Sequence, residues 1–125
     1  MRSALRSRLM VDAPVAALVG ARVDWGLRPQ AKSLPAVTLT LVSSPRGYTM
    51  AGAQVTQQYR VQVDCWGETY KSADDVRSAV IACLEPASGA FQASFVERDS
   101  DFNERTDTGD VHRASLDFKI THIPA

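Results

Sequence analysis

The chain has 125 residues and a mass of 13.6 kDa, which predicts one domain spanning residues 1–125. Its composition, 45% hydrophobic and 22% charged, is typical of a globular protein and excludes the disordered, fibrous and membrane-embedded classes. The 14 basic and 14 acidic side chains cancel, which argues against a nucleic-acid-binding protein that relies on an overall positive charge.

The two signs of charge are nevertheless separated along the sequence. Residues 1–34 carry six basic and two acidic side chains, a net charge of +4, whereas residues 97–110 carry six acidic and two basic side chains, a net charge of −4. We single out the following charged residues of these segments as candidate assembly contacts: Arg2, Arg6, Arg8, Arg98, Asp99, Asp101, Glu104 and Arg105.

Two short helices are predicted at the start of the chain. Apolar residues one turn apart predict the first over Ser3–Val11. Asp12 can cap the second, predicted over Pro14–Val19, because a carboxylate accepts hydrogen bonds from the free N–H groups at a helix start and proline suits the first turn. Gly20 is expected to end this helix.

One brief and two long strands follow. Residues Arg22–Trp25 suit the brief strand, and alternating β-branched residues predict a clear strand over Pro35–Ser44. The second long strand is predicted over Gln54–Trp66. Its apolar face consists of Tyr59, Val61, Val63 and Cys65.

A third helix is predicted after Gly67, which breaks the strand pattern. Thr69 or Ser72 can cap this helix, and Pro86 and Gly89 end it. Spacings of three and four residues predict its core-facing stripe, which comprises Ala73, Val76, Val80, Cys83 and Leu84.

Phe91–Glu97 and Val111–His122 are the last two predicted strands, and the acidic residues between them are expected to form a solvated hairpin loop. Consecutive strands pair readily as antiparallel hairpins, and an amphipathic helix can cover the apolar face of the resulting sheet. The order of elements therefore predicts an α+β fold with a mostly antiparallel four-stranded sheet covered by one long helix, with short N-terminal helices.

No sequence signature of catalysis is present, since GxSxG, P-loop and GxGxxG patterns are all absent. Asp64 lies between apolar residues, but alternation assigns it to the polar strand face, where a cross-strand ion pair is expected. Cys65 and Cys83 form no CxxC pair and are predicted to be buried thiols. His112 and His122 stand too far apart for joint chelation and are predicted to be ordinary surface or core-edge histidines. We therefore expect no enzyme, cofactor or metal site.

A partial calcium-loop pattern lies in the acidic segment. Asp99, Asp101 and Asn103 alternate, with Asp107 and Asp110 at the ninth and twelfth places. The sixth place needs glycine for the turn but holds glutamate, and the flanking residues favour strands rather than helices. Calcium binding is therefore kept only as a minor alternative.

The segment Pro45–Gly52 is long for a bare hairpin connection. It contains Arg46, Tyr48 and Met50, and these residue types are enriched at protein interfaces. The segment is a candidate contact surface, with a plain flexible connection as the alternative.

Five stretches cover nearly the whole chain in order: LRSRLMVDAPVAALVGARV, LPAVTLTLVSS, RGYTMAG, YRVQVDCWGETYKSADDVRSAVIACL and GDVHRASLDFKITH. Together with the acidic stretch at Arg98, Asp99 and Asp101, they resemble the tail completion, or tail terminator, family of long-tailed bacteriophages. The most specific parts of the resemblance are VQVDCWGETYKSA and RASLDFKITH.

The resemblance implies a small α+β subunit that assembles into a ring, typically a hexamer, at the head-proximal end of the tail tube. Such a ring halts tube polymerisation, so the implied partners are further copies of this chain, the tail tube protein and the head connector protein. DNA is implied to pass through the ring lumen without sequence-specific binding. The implied location is the tail–neck junction of a phage-like particle, with assembly in the host cytoplasm. No catalytic residue, cofactor, metal or membrane contact is carried over.

The separated charges predict which segments of neighbouring subunits contact each other in such a ring. In a closed ring, one patch of each subunit meets a different patch of the next. We expect the basic segment 1–34 of one subunit to contact the acidic segment 97–110 of its neighbour or of an adjacent ring. We also expect the Pro45–Gly52 segment to reach the tube or a neighbour. The alternatives are another head–tail adaptor or connector component of the neck, and a small calcium-binding module.

Overall fold

The computed structural model describes residues 2–20, 22–26, 35–43, 48–49, 52–53, 57–86, 91–106 and 109–122. These residues form ten elements, which follow one another in this order: α1 (Arg2–Val11), α2 (Ala13–Val19), β1 (Val23–Trp25), β2 (Ala36–Ser43), β3 (Tyr48–Thr49), β4 (Gly52–Ala53), β5 (Gln57–Gly67), α3 (Tyr70–Leu84), β6 (Phe91–Thr106) and β7 (Gly109–His122). The predicted α+β class is confirmed.

The predicted caps are present at α2 and α3. The Asp12 carboxylate accepts a hydrogen bond from the backbone N–H of Val15 at 3.3 Å, and the Thr69 hydroxyl accepts one from the N–H of Ser72 at 3.1 Å. Gly20 follows the last residue of α2 with a φ of +58°, a backbone conformation that only glycine adopts at little cost. Local polar chemistry therefore sets these helix ends.

The main sheet has five strands in the spatial order β1, β2, β5, β7, β6. Strand β1 runs parallel to β2, and the other neighbouring strands are antiparallel. The predicted four-stranded sheet is therefore wrong in this detail, because the brief strand joins as a parallel fifth strand at the edge. Three residues are too few to reveal a pairing partner from sequence. Strands β3 and β4 pair separately.

Three helices, rather than the predicted single long helix, cover this sheet. Leu5 and Leu9 of α1 and Val15 and Val19 of α2 are all at most 1% exposed and belong to the same core as the α3 stripe. Each short helix presents two apolar residues one turn apart, which is enough to bury one face of the helix. The N-terminal helices are therefore part of the helical layer.

The core lies between the helical layer and one face of the sheet, as the alternation of β5 and β7 predicts. Its central members from these two strands are Val61, Val63, Cys65, Leu116, Phe118 and Ile120, all completely buried. Along α3 the predicted stripe is buried except for Cys83, which is half-buried.

The opposite face of the sheet has a buried polar centre. Asp64 is 5% exposed and lies in register between Thr38 and Ser115. Its carboxylate accepts hydrogen bonds from the Gln62 side-chain amide at 3.0 and 3.2 Å. The expected cross-strand ion pair is not among the contacts of the described residues, and a neighbouring amide satisfies the carboxylate instead.

Strand β6 continues to Thr106, so most of the acidic segment predicted as a loop is strand. Residues 98–106 pair in register with residues 109–117 of β7, and this pairing outweighs the low strand propensity of aspartate and asparagine. A register shift between Val96 and Arg98 reverses the alternation of side chains. As a result, Asp99 and Asp101 lie on the same side of the sheet as the helices.

Among the described residues, no helix combines the length and the apolar character that a bilayer-spanning segment requires.

Candidate assembly surfaces

The acidic part of β6 meets helix α3 at a cluster of charged side chains. The Arg77 Nη1 donates hydrogen bonds to Asp99 at 3.2 and 3.3 Å and to Asp101 at 3.5 Å. Its Nη2 pairs with Asp74, one turn earlier in the helix. We call Asp74, Asp99 and Asp101 around Arg77 the acidic cluster. The three carboxylate side chains are each about 40% exposed, so three negative charges share one guanidinium at the surface.

The acidic cluster keeps negative charge available to a partner. Solvent-exposed ion pairs contribute little to stability, typically about 0.2–1 kcal/mol each. One arginine balances only one of the three carboxylates, so a further cation from outside the chain would find an attractive field here. The sequence does not identify Arg77 or Asp74 as contact residues; their spacing of three along a predicted helix is the signal it offers for their pairing.

Arg2 and Arg6 of α1 lie beside β1, at the other edge of the sheet. The Arg2 guanidinium is 5.5 Å from the centre of the Trp25 ring, and the Trp25 Nε1 donates a hydrogen bond to the Arg2 carbonyl at 3.1 Å. The Arg6 Nε donates to the Val23 carbonyl at 2.8 Å. We call Arg2, Arg6 and Trp25 the basic edge. Arg2 is exposed there, whereas Arg6 is half-buried.

The Arg8 side chain contacts other residues of its own chain. Its Nη2 donates hydrogen bonds to the carbonyls of Cys83, at 2.9 Å, and Pro86, at the end of α3. Its guanidinium also lies 5.1 Å from the centre of the Phe91 ring. A contact between Arg8 and a neighbouring subunit would have to share these donors. Arg8 therefore differs in surroundings from Arg2, although both were selected for their charge.

The remaining candidate contacts are placed only in part. Arg98 is exposed on β6 and lies opposite Asp117 in register. Glu104 and Arg105 are strand residues of β6, and their side chains lie outside the described part of the chain. Tyr48 is described only through its backbone pairing with Ala53. Arg46 and Met50 lie outside the described residues.

A row of three large side chains crosses the helix-free face of the sheet and was not anticipated. Arg113 of β7 lies between two aromatic rings, 5.3 Å from the centre of Trp66 and 4.4 Å from the centre of Phe102. The Trp66 Nε1 donates a hydrogen bond to the Thr38 hydroxyl at 2.9 Å. Alternation along the strand assigns Trp66 to this face, but the row also depends on the register that places Arg113 and Phe102 beside it.

The partial calcium pattern does not form a loop. Residues 99–103 are extended strand, paired residue by residue with β7, so their oxygens cannot wrap one ion as a helix-flanked loop does. Among the residues that the structure describes, no group of three histidine, cysteine, aspartate or glutamate side chains is arranged so that it could hold a metal ion, and the carboxylates of the acidic cluster surround Arg77 instead.

The histidines and cysteines occupy ordinary packed sites. His122 is 3% exposed, with its ring centre 4.7 Å from that of Phe91 and 6.4 Å from that of Tyr59. Burial lowers the pKa of His122, so the neutral ring is favoured and this residue supports folding less as the pH falls below its unfolded pKa. Burial raises the pKa of Cys65 far above its usual range and that of Cys83 to about 11. Both thiols are therefore protonated near neutral pH, whereas it is the thiolate that acts as a nucleophile.

The positions of the two charged surfaces follow from the strand order. The acidic cluster involves β6, which is one edge of the sheet, and the basic edge involves β1, which is the other. No ion pair among the described residues joins Arg2, Arg6 or Arg8 to the acids of residues 97–102. One chain therefore presents opposite charges at opposite ends of its sheet.

A solved structure shares this fold, although a search of the curated proteins gave no match. A solved chain described as "Virion of native gene transfer agent (GTA) particle" is 19% identical, with 99% of this chain and 95% of that chain covered and a TM-score of 0.75, so the two share a fold. Another solved chain is 22% identical over the same shares, but its TM-score of 0.49 supports no argument.

The family comparison is more specific. A model of the family described as "Tail completion protein gp17" matches residues 3–123, which include all three helices of the layer except Arg2 and all five strands of the main sheet. The resemblance noted in the sequence is confirmed over almost the whole chain. The chain belongs to the tail completion protein gp17 family, and it is a structural protein of a phage-type tail.

Proposed function

We propose that the protein forms a ring, typically a hexamer, which caps the head-proximal end of a phage-like tail tube. The ring stops tube polymerisation and provides the surface for head joining. The observation that carries this proposal is the placement of the acidic cluster and the basic edge at opposite edges of one sheet. The family to which the chain belongs, and the fold that it shares with a chain of a gene transfer agent virion, support a role in a phage-like tail.

Opposite charges at opposite edges suit a closed ring of identical subunits. In such a ring each subunit offers two different patches, and each patch meets the other patch on the next copy. Charge complementarity then fixes which edges meet and in which orientation. The partners of the ring are the tail tube protein on one side and the head connector on the other. DNA passes through the lumen without sequence-specific contacts, and assembly takes place in the host cytoplasm.

Loss of the protein tests the capping function directly. Cells that produce the particle but lack this chain should make tails of abnormal, mostly excessive length that do not join heads, because nothing stops tube growth. Electron microscopy of lysates measures tail length and head joining. Tails of normal length that fail to join heads would instead assign the protein to a head–tail adaptor, since an adaptor leaves length control intact.

Charge reversal tests the edge-to-edge contact. The double variant Asp99→Lys and Asp101→Lys should weaken ring assembly about tenfold, equivalent to about 1.4 kcal/mol, because like charges then face the basic edge of the next subunit. The defect should shrink at high salt, which screens exposed charges. Mass photometry at low and high salt measures the assembly midpoint.

Two further variants control this experiment. Glu85→Lys changes an exposed charge after the end of α3, away from the acidic cluster, and should leave assembly unchanged. Adding Arg2→Glu to the double variant should restore part of the assembly, because the charges of both edges are then exchanged. Equal assembly by the wild type and the double variant at low salt would rule out the contact.

A further inference from the structure

An open groove lies where the short edge strand β1 stops. Strand β1 ends at Trp25, opposite Leu39, while β2 continues to Ser43, so the end of β2 has no β1 neighbour. The groove has a volume of about 320 Å³ and is lined by Arg2, Trp25, Gly26, Leu39, Thr40 and Leu41. Its lining is mostly apolar, with the Arg2 guanidinium stacked on the indole ring at one side.

An exposed tyrosine stands beside the acidic cluster at the other edge of the sheet. Tyr70 is the first residue of α3 and is 53% exposed. Its hydroxyl donates a hydrogen bond to Asp101 at 3.4 Å, and its ring meets His112 edge-on, with 6.4 Å between the ring centres. Burying the exposed half of this ring against another apolar surface would be favourable, and tyrosine is enriched at the energetic centres of interfaces.

We infer that Tyr70 of one subunit inserts into the Arg2–Trp25 groove of the next copy of this chain in the ring. This inference rests on the proposed function, because it supplies the apolar centre of the same edge-to-edge contact. A groove of about 320 Å³ has room for one aromatic ring, since a cavity of about 150 Å³ already holds benzene. Insertion brings Asp101, next to Tyr70, to Arg2 at the rim of the groove.

The other exposed apolar residues of the described chain fit this groove less well. Phe102 is already stacked on Arg113 on the helix-free face of the sheet. Val11 is the last residue of α1, and no hydrogen bond among the described residues joins it to an acidic side chain that could pair with Arg2. Val42 belongs to β2, the strand that itself lines the groove. Tyr70 is the exposed apolar side chain whose hydrogen-bonded neighbour carries the charge opposite to that of Arg2.

Photocrosslinking in assembled particles tests the inference. A benzophenone amino acid in place of Tyr70 should give, on irradiation, a covalent dimer of this chain whose linked peptide contains Arg2, Trp25 or Leu41. Peptide mass spectrometry identifies the attachment site. The same probe in place of Val42, which is 52% exposed, is the matched control and should not label the groove of a second copy.

The outcomes separate the inference from the function on which it rests. An adduct elsewhere on a second copy, an adduct on the tube protein, or no adduct in particles with normal tail length overturns the Tyr70 contact and leaves the capping function standing. Absence of the chain from tail ends overturns both. As a second measurement, Tyr70→Ser should weaken assembly about tenfold or more, whereas Tyr70→Phe, which retains the ring, should assemble within about twofold of the wild type.

Discussion

Replacing Arg8 with alanine is expected to lower the free energy of unfolding of the isolated chain by about 2–3 kcal/mol. The arginine donates hydrogen bonds to the Cys83 and Pro86 carbonyls and stacks on Phe91. Alanine removes these donors and leaves the partly buried Cys83 carbonyl at the end of α3 without this partner. It also removes a positive charge that favours the negative end of the helix dipole. Urea unfolding followed by circular dichroism measures the change.

Two comparisons identify the cause of that loss. Arg8→Lys should fall between the wild type and alanine, because lysine keeps the charge but lacks the planar group that reaches two carbonyls and stacks on a ring. Arg2→Ala removes an exposed arginine from the same helix and should cost less than about 1 kcal/mol. If Arg8→Ala were no more destabilising than Arg2→Ala, Arg8 would be free to serve as an assembly contact.

Gly67→Ala is expected to destabilise the fold by about 3 kcal/mol, the upper end of the usual cost of overpacking. A Cβ atom at this position would lie 2.5 Å from the Ala73 backbone nitrogen and 3.0 Å from two atoms of Ser72. The nearest of these atoms is backbone in the first turn of α3, so a side-chain rotation cannot relieve the clash. The helix or the end of β5 has to move.

Thermal unfolding measures this effect, with an expected decrease in Tm of about 10 °C for a chain of this size. Glu68→Ala places the same side chain at the next, exposed position and should change Tm by less than about 2 °C. Because α3 carries Tyr70 at its start and Asp74 in its second turn, Gly67→Ala should also weaken assembly of the proposed ring. A Tm equal to that of Glu68→Ala would show that α3 accommodates the methyl group without strain.

Local features of the fold were predictable because neighbouring residues determine them. The Asp12 and Thr69 caps, the end of α2 at Gly20 and the inward faces of β5 and β7 follow from spacings of a few residues. Non-local pairing was not predictable. The parallel edge strand β1 and the strand character of residues 98–106 depend on partners far away in the sequence.

The candidate surfaces were likewise predictable only as far as neighbouring residues determine them. Charge density alone identifies Asp99 and Asp101, yet their orientation toward α3 results from one register shift in β6, and their partner Arg77 comes from another element. Charge also makes Arg2 and Arg8 equivalent in the sequence. Only packing distinguishes Arg2 at the surface from Arg8 at the end of α3.

The position of β7 has a consequence for the timing of assembly. This strand follows β6 in the sequence but lies inside the sheet, between β5 and β6, so β6 joins the sheet only through it. On the ribosome, a nascent chain that has not yet released β7 cannot hold β6 beside α3, and its acidic cluster does not exist. In the proposed ring, an unfinished subunit would therefore lack one of the two contact surfaces, so only chains whose β7 has been released would be able to assemble.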